Sequence, residues 1–460
     1  MKTIVKIGIV AGFLAASAQA QDATDPAHLS LVAGYKAAFT CSAHFNAGRS
    51  VDEIAGDELH RIYRGYRDVM AILDDAVIDE EAKLVSVSYG EDTPPRYSVW
   101  RPHLGCVQLP TGAEIDAIDL PEAKVRQTRN RPLPLPQRLS NDEELGSIVS
   151  AAFDRQTYGE GTETTAVLIV KDGAIIAEQY RDGFDMNTLQ RTSSVAKSIV
   201  ARVIGAAVQA ELIGVDEPAG LAAWSAQGDP RGDITVENLM HMASGLTSLT
   251  AGNRTDDVYF GGGRVVDHAL GNRVVAEPGT RWRYANNDTM LLMRVLRERM
   301  DDDKDFLAFP FERVLYPLGM QNTFLETDWN GDFVMSSQVW TTSRDLARIG
   351  LLYLNDGVWE GKRILPEGWA SYVASPATAQ PTLVRANGRQ NPGYGAQFWL
   401  YGERHGLPEG SYAARGNRGQ YLMVVPEDNV LIIRRGFDDG GGFDLARFSA
   451  DILDTVEDTP

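Results

Sequence analysis

Ser194 and Lys197 stand three residues apart in QRTSSVAKSIVARVIGAAV, Gln190–Val208, where they open an otherwise apolar run. Residues three apart share one helical face, so the hydroxyl and the amine leave the helix start in the same direction. A cation at that end opposes the helix dipole, at a cost of ~0.3–1 kcal/mol. Burial opposes the charge too, and both effects push the lysine toward its neutral form. A neutral amine beside a serine hydroxyl can take its proton, which makes the activated nucleophile that acyl transfer needs. The same terminus offers backbone N–H groups to a developing oxyanion. The plainer reading of these residues is a serine cap with a lysine snorkelling to water. S-x-x-K is short enough to arise by chance, and the chain holds one copy.

Two further clusters could serve that chemistry. In EPGTRWRYANNDTM, Tyr284-Ala285-Asn286 follows a Pro-Gly turn and precedes a helix, so it sits between elements, where scaffolds tend to hold reactive groups. A tyrosine near an ammonium is expected to have a lowered pKa and to share proton transfer. An asparagine amide can orient the lysine or a substrate carbonyl. The second Y-x-N, Tyr353-Leu354-Asn355, lies in a stripe with Leu346, Ile349 and Leu352 and reads as core. In YAARGNRGQYLMVV, Gly416 at an exposed strand edge would let backbone approach a ligand, with the Asn417 N–H as a second oxyanion donor. On that stretch alone a plain glycine turn is the favoured reading. The seven histidines show no H-E-x-x-H spacing, and His241 lies among Leu and Met as a core residue would. There is no G-x-S-x-G elbow and no phosphate-cradling glycine spacing at Gly261–Gly263 or Gly440–Gly442. No metal site and no cofactor are expected.

The elements that must position these residues are hairpins flanking a helical middle. Thr165–Val170 and Ala174–Tyr180 read as strands joined through Lys171-Asp172-Gly173. Gln420–Val425 and Val430–Arg435 flank PEDN in the same way. One antiparallel sheet assembled from both ends, with a helical lobe over about 214–341 inserted, satisfies both pairs. Asn141 opens a helix before the first hairpin. Thr235 is expected to cap VENLMHMASGL and Asn287 or Asp288 to cap TMLLMRVLRERM. Ser343 starts a helix that Gly357 ends as its C′ residue. Residues 21–125 form a small mixed domain, with helical periodicity at Ser30–Ala38 and Gly56–Ala71 and extended runs at Ala82–Tyr89 and Arg96–Trp100. The Pro-rich RQTRNRPLPLPQR, within the linker 126–140, favours an extended strap. The catalytic unit would then run over 141–455.

Met1–Ala20 has two lysines, a short apolar stretch and an Ala-Gln-Ala cleavage site, so it reads as a signal peptide. No later stretch is apolar enough to span a bilayer. The expected mature chain is periplasmic or secreted. Its two cysteines, Cys41 and Cys106, would there form a disulfide. The net charge is −19, which argues against nucleic acid and anionic membranes as partners.

Taken together, Ser194-Val195-Ala196-Lys197, Tyr284-Ala285-Asn286 and Ala414-Arg415-Gly416 resemble, in order and approximate spacing, the three motifs of the serine hydrolases related to class C β-lactamases and penicillin-binding proteins. ITVENLMHMASGL, TTSRDLARIGLLYLNDGVWEGKRILPEGW and GNRGQYLMVVPEDNVLIIRRG are similar to blocks of the branch that holds 6-aminohexanoate-dimer hydrolase and family VIII esterases. The resemblance covers roughly Ser140–Gly436. It implies an α+β, β-lactamase/transpeptidase-like fold, with Ser194 as nucleophile, Lys197 as its base partner, Tyr284 as a second acid/base and Asn286 as a positioning group. The oxyanion hole would use the N–H groups of Ser194 and Asn417. No cofactor is implied. The family's Lys-Thr-Gly, which holds a β-lactam or peptide carboxylate, is replaced here by Ala-Arg-Gly, which favours small esters or amides as substrates. A peptidoglycan-processing or penicillin-binding protein, and a catalytically silent binding protein of the same fold, stay open as alternatives.

Overall fold

The computed structural model describes residues 25–126, 134–247, 255–439 and 442–457. The expected signal peptide, most of the Pro-rich strap and two of the Gly440–Gly442 glycines lie outside the described residues. The centre is a seven-stranded antiparallel sheet. Its spatial order is Gly393–Tyr394, Trp399–Leu400, Tyr412–Gly416, Gln420–Val425, Val430–Gly436, Thr164–Lys171 and Ala174–Tyr180. Val430–Gly436 pairs directly with Thr164–Lys171, with Ile432 opposite Ile169, so strands far apart in sequence meet at the middle.

Both faces of the sheet are covered. Leu168, Val170, Leu422, Val424, Leu431 and Ile433 face the main core. Val167, Ile169, Met423, Val425, Val430 and Ile432 face a second core closed by the helices Glu143–Ala151 and Leu445–Glu457. Burial on both sides explains why these strands read as continuous apolar runs and not as alternating ones. The helices Val195–Gln209 and Ser343–Leu354 lie on the main-core face. A Cβ at Gly350 would come within 2.7 Å of the Leu431 side chain, so the missing side chain lets that helix seat on the sheet.

The middle of the chain carries the helices Val236–Met240, Asn286–Glu298 and Asp303–Pro310. Thr235 and Asn238 form a reciprocal capping box on the first of these. Asn287 and Asp288 do not cap the second. It begins at Asn286, behind Ala285, because its first polar side chains are engaged elsewhere: Asn286 with Lys197 and Asp288 with Ser244. Thr342 caps Ser343–Leu354 through the Asp345 N–H. The helix is closed by Asn355, and Gly357 lies one residue beyond the C′ position in a left-handed conformation. The helix expected from Asn141 starts at Glu143, capped by Asp142. Tyr353 and His241 are buried, as their apolar surroundings predict.

The N-terminal region pairs the helix Pro26–Cys41 with a four-stranded antiparallel sheet, Val77–Asp79, Leu84–Val87, Arg96–Arg101 and Gly105–Gln108. The first and last of these strands are too short to leave a pattern in the sequence. The helix expected over Gly56–Ala71 is instead two, Val51–Gly56 and Arg64–Met70. A Ser50–Glu53 capping box starts the first one early, Arg61 takes a left-handed φ of 49°, and the carbonyls between them bond to a distant arginine. Tyr35, Phe39 and Tyr66 share the main core with Tyr259 and Phe260 of the helical lobe, and the Tyr35 and Phe260 rings are 4.7 Å apart.

Cys41 and Cys106 form a disulfide across 65 residues, which in the chain-entropy account contributes about 4 kcal/mol. Replacing both cysteines by serine should lower the unfolding free energy by roughly 2–4 kcal/mol, read as a fall in the urea midpoint. An unchanged midpoint would mean that packing alone holds the N-terminal region in place.

Candidate active site

A small sheet sets the position of Ser194. Gln190–Arg191 pairs with Val339–Thr341, which pairs in turn with Phe324–Leu325. The Thr192 N–H extends the pairing to Val339 O at 2.8 Å. The buried Arg435 guanidinium donates to the carbonyls of Gln190, at 2.8 Å, and Thr341, at 3.0 Å. The chain then turns sharply at Ser193, whose φ is +48°. A non-glycine residue held there costs about 1–3 kcal/mol, and the turn points the next residue into the helix axis. Ser194 occupies the N-cap position of Val195–Gln209, yet its hydroxyl caps nothing. The serine-cap reading therefore fails, and Oγ is left for other partners.

Those partners are Lys197 and Tyr284. Lys197 Nζ lies 3.2 Å from Ser194 Oγ. It donates to Asn286 Oδ1 and to the main-chain oxygen of Ser336, both at 2.6 Å. The side chain is buried, and among the described residues no carboxylate lies within ion-pair reach of it. Burial first, and the Arg191 cation second, hold its pKa well below the ordinary lysine value. A neutral amine has two N–H bonds and one lone pair. Two carbonyl oxygens, which can only accept, take the two hydrogens, and the lone pair is left for the Ser194 O–H.

Tyr284 shares a hydrogen bond with Ser194, and Lys197 Nζ sits 5.0 Å from the centre of its ring. The expected lowering of the Tyr284 pKa is not found. Enclosure of the phenol raises it, and the bond to Ser194 offsets only part of that rise. The physical reason is burial, which penalises the phenolate more than the Ser194 hydroxyl and the Arg415 cation favour it. Tyr284 therefore stays protonated and is suited to giving a proton.

Gly416 ends the strand Tyr412–Gly416. That strand pairs with Gln420–Val425 as far as Gly416, but its pairing with Trp399–Leu400 stops at Ala413, so among the described residues Gly416 has an unpaired strand edge on one side, as expected. A Cβ at Gly416 would fall 2.4 Å from the Thr192 carbonyl oxygen and 3.2 Å from Ser193 Cβ. A close approach that requires glycine here is therefore to the chain's own segment before Ser194. Asn417 begins the three-residue turn that follows, since Gly416 pairs with Gln420. Ser194, Gly416 and Asn417 line one cleft of about 550 Å³, together with Trp282, Tyr284, Trp399 and Arg415. Among the described residues, no acceptor is found for the N–H of Ser194 or of Asn417.

Several contributors left no signal in the sequence. Ser336 acts through its carbonyl, which every residue type possesses. Its hydroxyl lies 2.6 Å from the Tyr259 hydroxyl, and Asn286 Nδ2 donates to Thr255 Oγ1 at 3.4 Å, so Tyr259 and Thr255 stand behind the two groups that hold the amine. Arg191 stacks 4.6 Å above the Phe39 ring; a basic residue beside the S-x-x-K stretch was the available hint. Arg415 donates to the Tyr401 hydroxyl at 3.0 Å and lies over Trp399. Among the described residues, no group of three His, Cys, Asp or Glu side chains is arranged to hold a metal ion.

Comparison with known proteins gives a consistent picture. Residues 149–434 match the family model described as Beta-lactamase. The 6-aminohexanoate-dimer hydrolase of Paenarthrobacter ureafaciens is 24% identical over 318 residues, which are 63% of this chain and 76% of that protein. A Bacillus anthracis structure assigned as a 6-aminohexanoate-dimer hydrolase superposes with a TM-score of 0.57 at 19% identity, covering 73% of this chain and 90% of that one. A family VIII carboxylesterase superposes at 0.55 with 14% identity, covering 71% and 99%. At such identities the superpositions speak for the fold alone, and they agree with the α+β architecture of a sheet built from both ends of the unit. With the family model spanning well over half of its residues, the chain belongs to the Beta-lactamase family.

Proposed function

We propose that the protein is an exported serine hydrolase that cleaves small esters or amides through an acyl-Ser194 intermediate. The observation that carries this reading is the setting of Lys197: a buried amine with two carbonyl acceptors, Ser194 Oγ at 3.2 Å and, among the described residues, no carboxylate partner. In this mechanism Ser194 Oγ attacks the substrate carbonyl carbon while its proton passes to Lys197 Nζ. The carbonyl oxygen takes up the negative charge between the N–H groups of Ser194 and Asn417. Collapse of the tetrahedral adduct breaks the bond to the alkoxide or amine, which receives a proton from the Tyr284 hydroxyl. The Lys197 ammonium then gives its extra proton to the Tyr284 phenolate, whose ring centre lies 5.0 Å from Nζ, which restores both groups. Water then attacks the acyl-enzyme with the amine again as base, and Ser194 is regenerated.

The disulfide suits an oxidising compartment, and among the described residues no helix is long and apolar enough to cross a membrane. Both fit the periplasmic or secreted location. Esters and small amides are favoured over β-lactams because Ala414-Arg415-Gly416 lacks a lysine and a threonine at the cleft, and because Trp282, Tyr284 and Trp399 give it aromatic walls.

Three outcomes test the reading. A fluorophosphonate probe should label Ser194, and Lys197→Ala should slow labelling and ester turnover by about 10²–10⁴, the range for loss of a general base; rapid labelling of the variant would remove Lys197 from the reaction. The pH profile of kcat/KM should rise through the Lys197 pKa, because the ammonium is inactive and the amine active. Its acidic limb should thus lie well below 10.5, the ordinary lysine value, and an acidic limb near that value would show a lysine that stays charged. Tyr284→Phe should barely slow a nitrophenyl ester, whose leaving group departs without a proton, while slowing an anilide by about 10² or more. Equal losses on both substrates would assign Tyr284 to activation of Ser194 instead.

A further inference from the structure

The turn that presents the Asn417 amide is held by the N-terminal region, which lies outside the residues matched by the family model. Arg418, the middle residue of the turn, has φ +61°, and Gly419 follows at +79°. Its guanidinium crosses to the segment between the helices Val51–Gly56 and Arg64–Met70. There it donates to the main-chain oxygens of His60 at 2.8 Å, Asp57 at 3.0 Å and Glu58 at 3.1 Å. It also lies 4.8 Å from the centre of the Phe437 ring. The Arg418 carbonyl is bonded as well, by the Asp438 N–H at 3.2 Å and by Gln420 Nε2 at 3.3 Å.

The segment that receives this arginine is itself fixed to the catalytic unit. The Asp57 carboxylate pairs with Arg49 and with Arg181, which follows the edge strand Ala174–Tyr180. Arg49 also donates to the Gly183 carbonyl at 3.3 Å and sits over the Phe184 ring. Three carbonyls on a bolted segment therefore clamp a residue whose backbone conformation is unfavourable for arginine, and that residue is bonded through its peptide to Asn417.

We propose that Arg418 is a positioning residue. By tying the turn to Asp57, Glu58 and His60 it aims the Asn417 N–H at the site of the developing oxyanion, so that the N-terminal region is a working part of the active site. The inference rests on the acyl-Ser194 reading. An oxyanion donor acts mainly in the transition state, so its misplacement should lower kcat and leave KM nearly unchanged. A donor displaced by about 1 Å costs on the order of 10²-fold.

The test uses the full chain, a short-chain nitrophenyl ester and a fluorophosphonate probe, with Arg418→Ala, Arg418→Lys and Ser194→Ala. Arg418→Ala should lose about 10–100-fold in kcat with KM within about twofold, and Ser194 labelling should slow by a similar factor. Arg418→Lys, which keeps a cation able to reach one or two of the carbonyls, should recover part of the loss, and serves as the main variant if the alanine chain does not fold. A purely structural arginine would lower the thermal midpoint but leave kcat of the folded protein intact; that result in either variant, with Ser194→Ala inactive, overturns this inference and spares the hydrolase reading. If wild type neither labels nor turns over ester, or Ser194→Ala stays active, the hydrolase reading itself fails and takes this inference with it.

Discussion

The structure around the cleft is organised by one unfavourable burial. An ammonium removed from water without a counter-ion costs several kcal/mol even after relaxation, and such a group ordinarily sheds its proton. Lys197 is buried, its pKa is driven well below the ordinary value by that burial and by the nearby Arg191 cation, and its partners are carbonyl oxygens and a hydroxyl. A carboxylate in place of Asn286 would have paired with the ammonium and kept it charged. Carbonyl acceptors fix the amine's direction without restoring its charge, which leaves its lone pair toward Ser194.

That arrangement draws on distant parts of the chain. Asn286 comes from the start of one helix and Ser336 from the loop before a short strand of the small sheet. The helix carrying Ser194 and Lys197 rests on strands from both ends of the catalytic unit. One tight junction is at Gly416, where the end of a strand meets the Thr192 carbonyl with no room for a side chain. Any residue larger than glycine there would separate the Ser194 and Asn417 amides. The Beta-lactamase family fold thus contributes a rigid seam between a helix terminus and a strand end, and the cleft lies along that seam.

Parts of this were readable in the sequence because local geometry dictates them. Helical spacing puts Ser194 and Lys197 on one face, and Tyr284 and Asn286, two residues apart, arrive at that face together. The four strands of the two hairpins were readable from their β-branched and apolar runs. What could not be read depends on main-chain atoms or on burial decided by tertiary packing. The Ser336 carbonyl and the carbonyls of Asp57, Glu58 and His60 carry no residue signature. The helix expected over Gly56–Ala71 is broken where those carbonyls turn to Arg418. The direction of the Tyr284 shift was misjudged because it depends on how fully the phenol is enclosed, which tertiary packing decides.

The most direct test of the account is to titrate Lys197 itself, by following its side-chain Nζ and Cε resonances in isotope-labelled protein, assigned by their loss in Lys197→Ala. The account requires a neutral amine at pH 8, with a transition well below 10.5, the ordinary lysine value. An ammonium signal persisting through pH 10 would contradict it, since no lone pair would then be present to take the Ser194 proton.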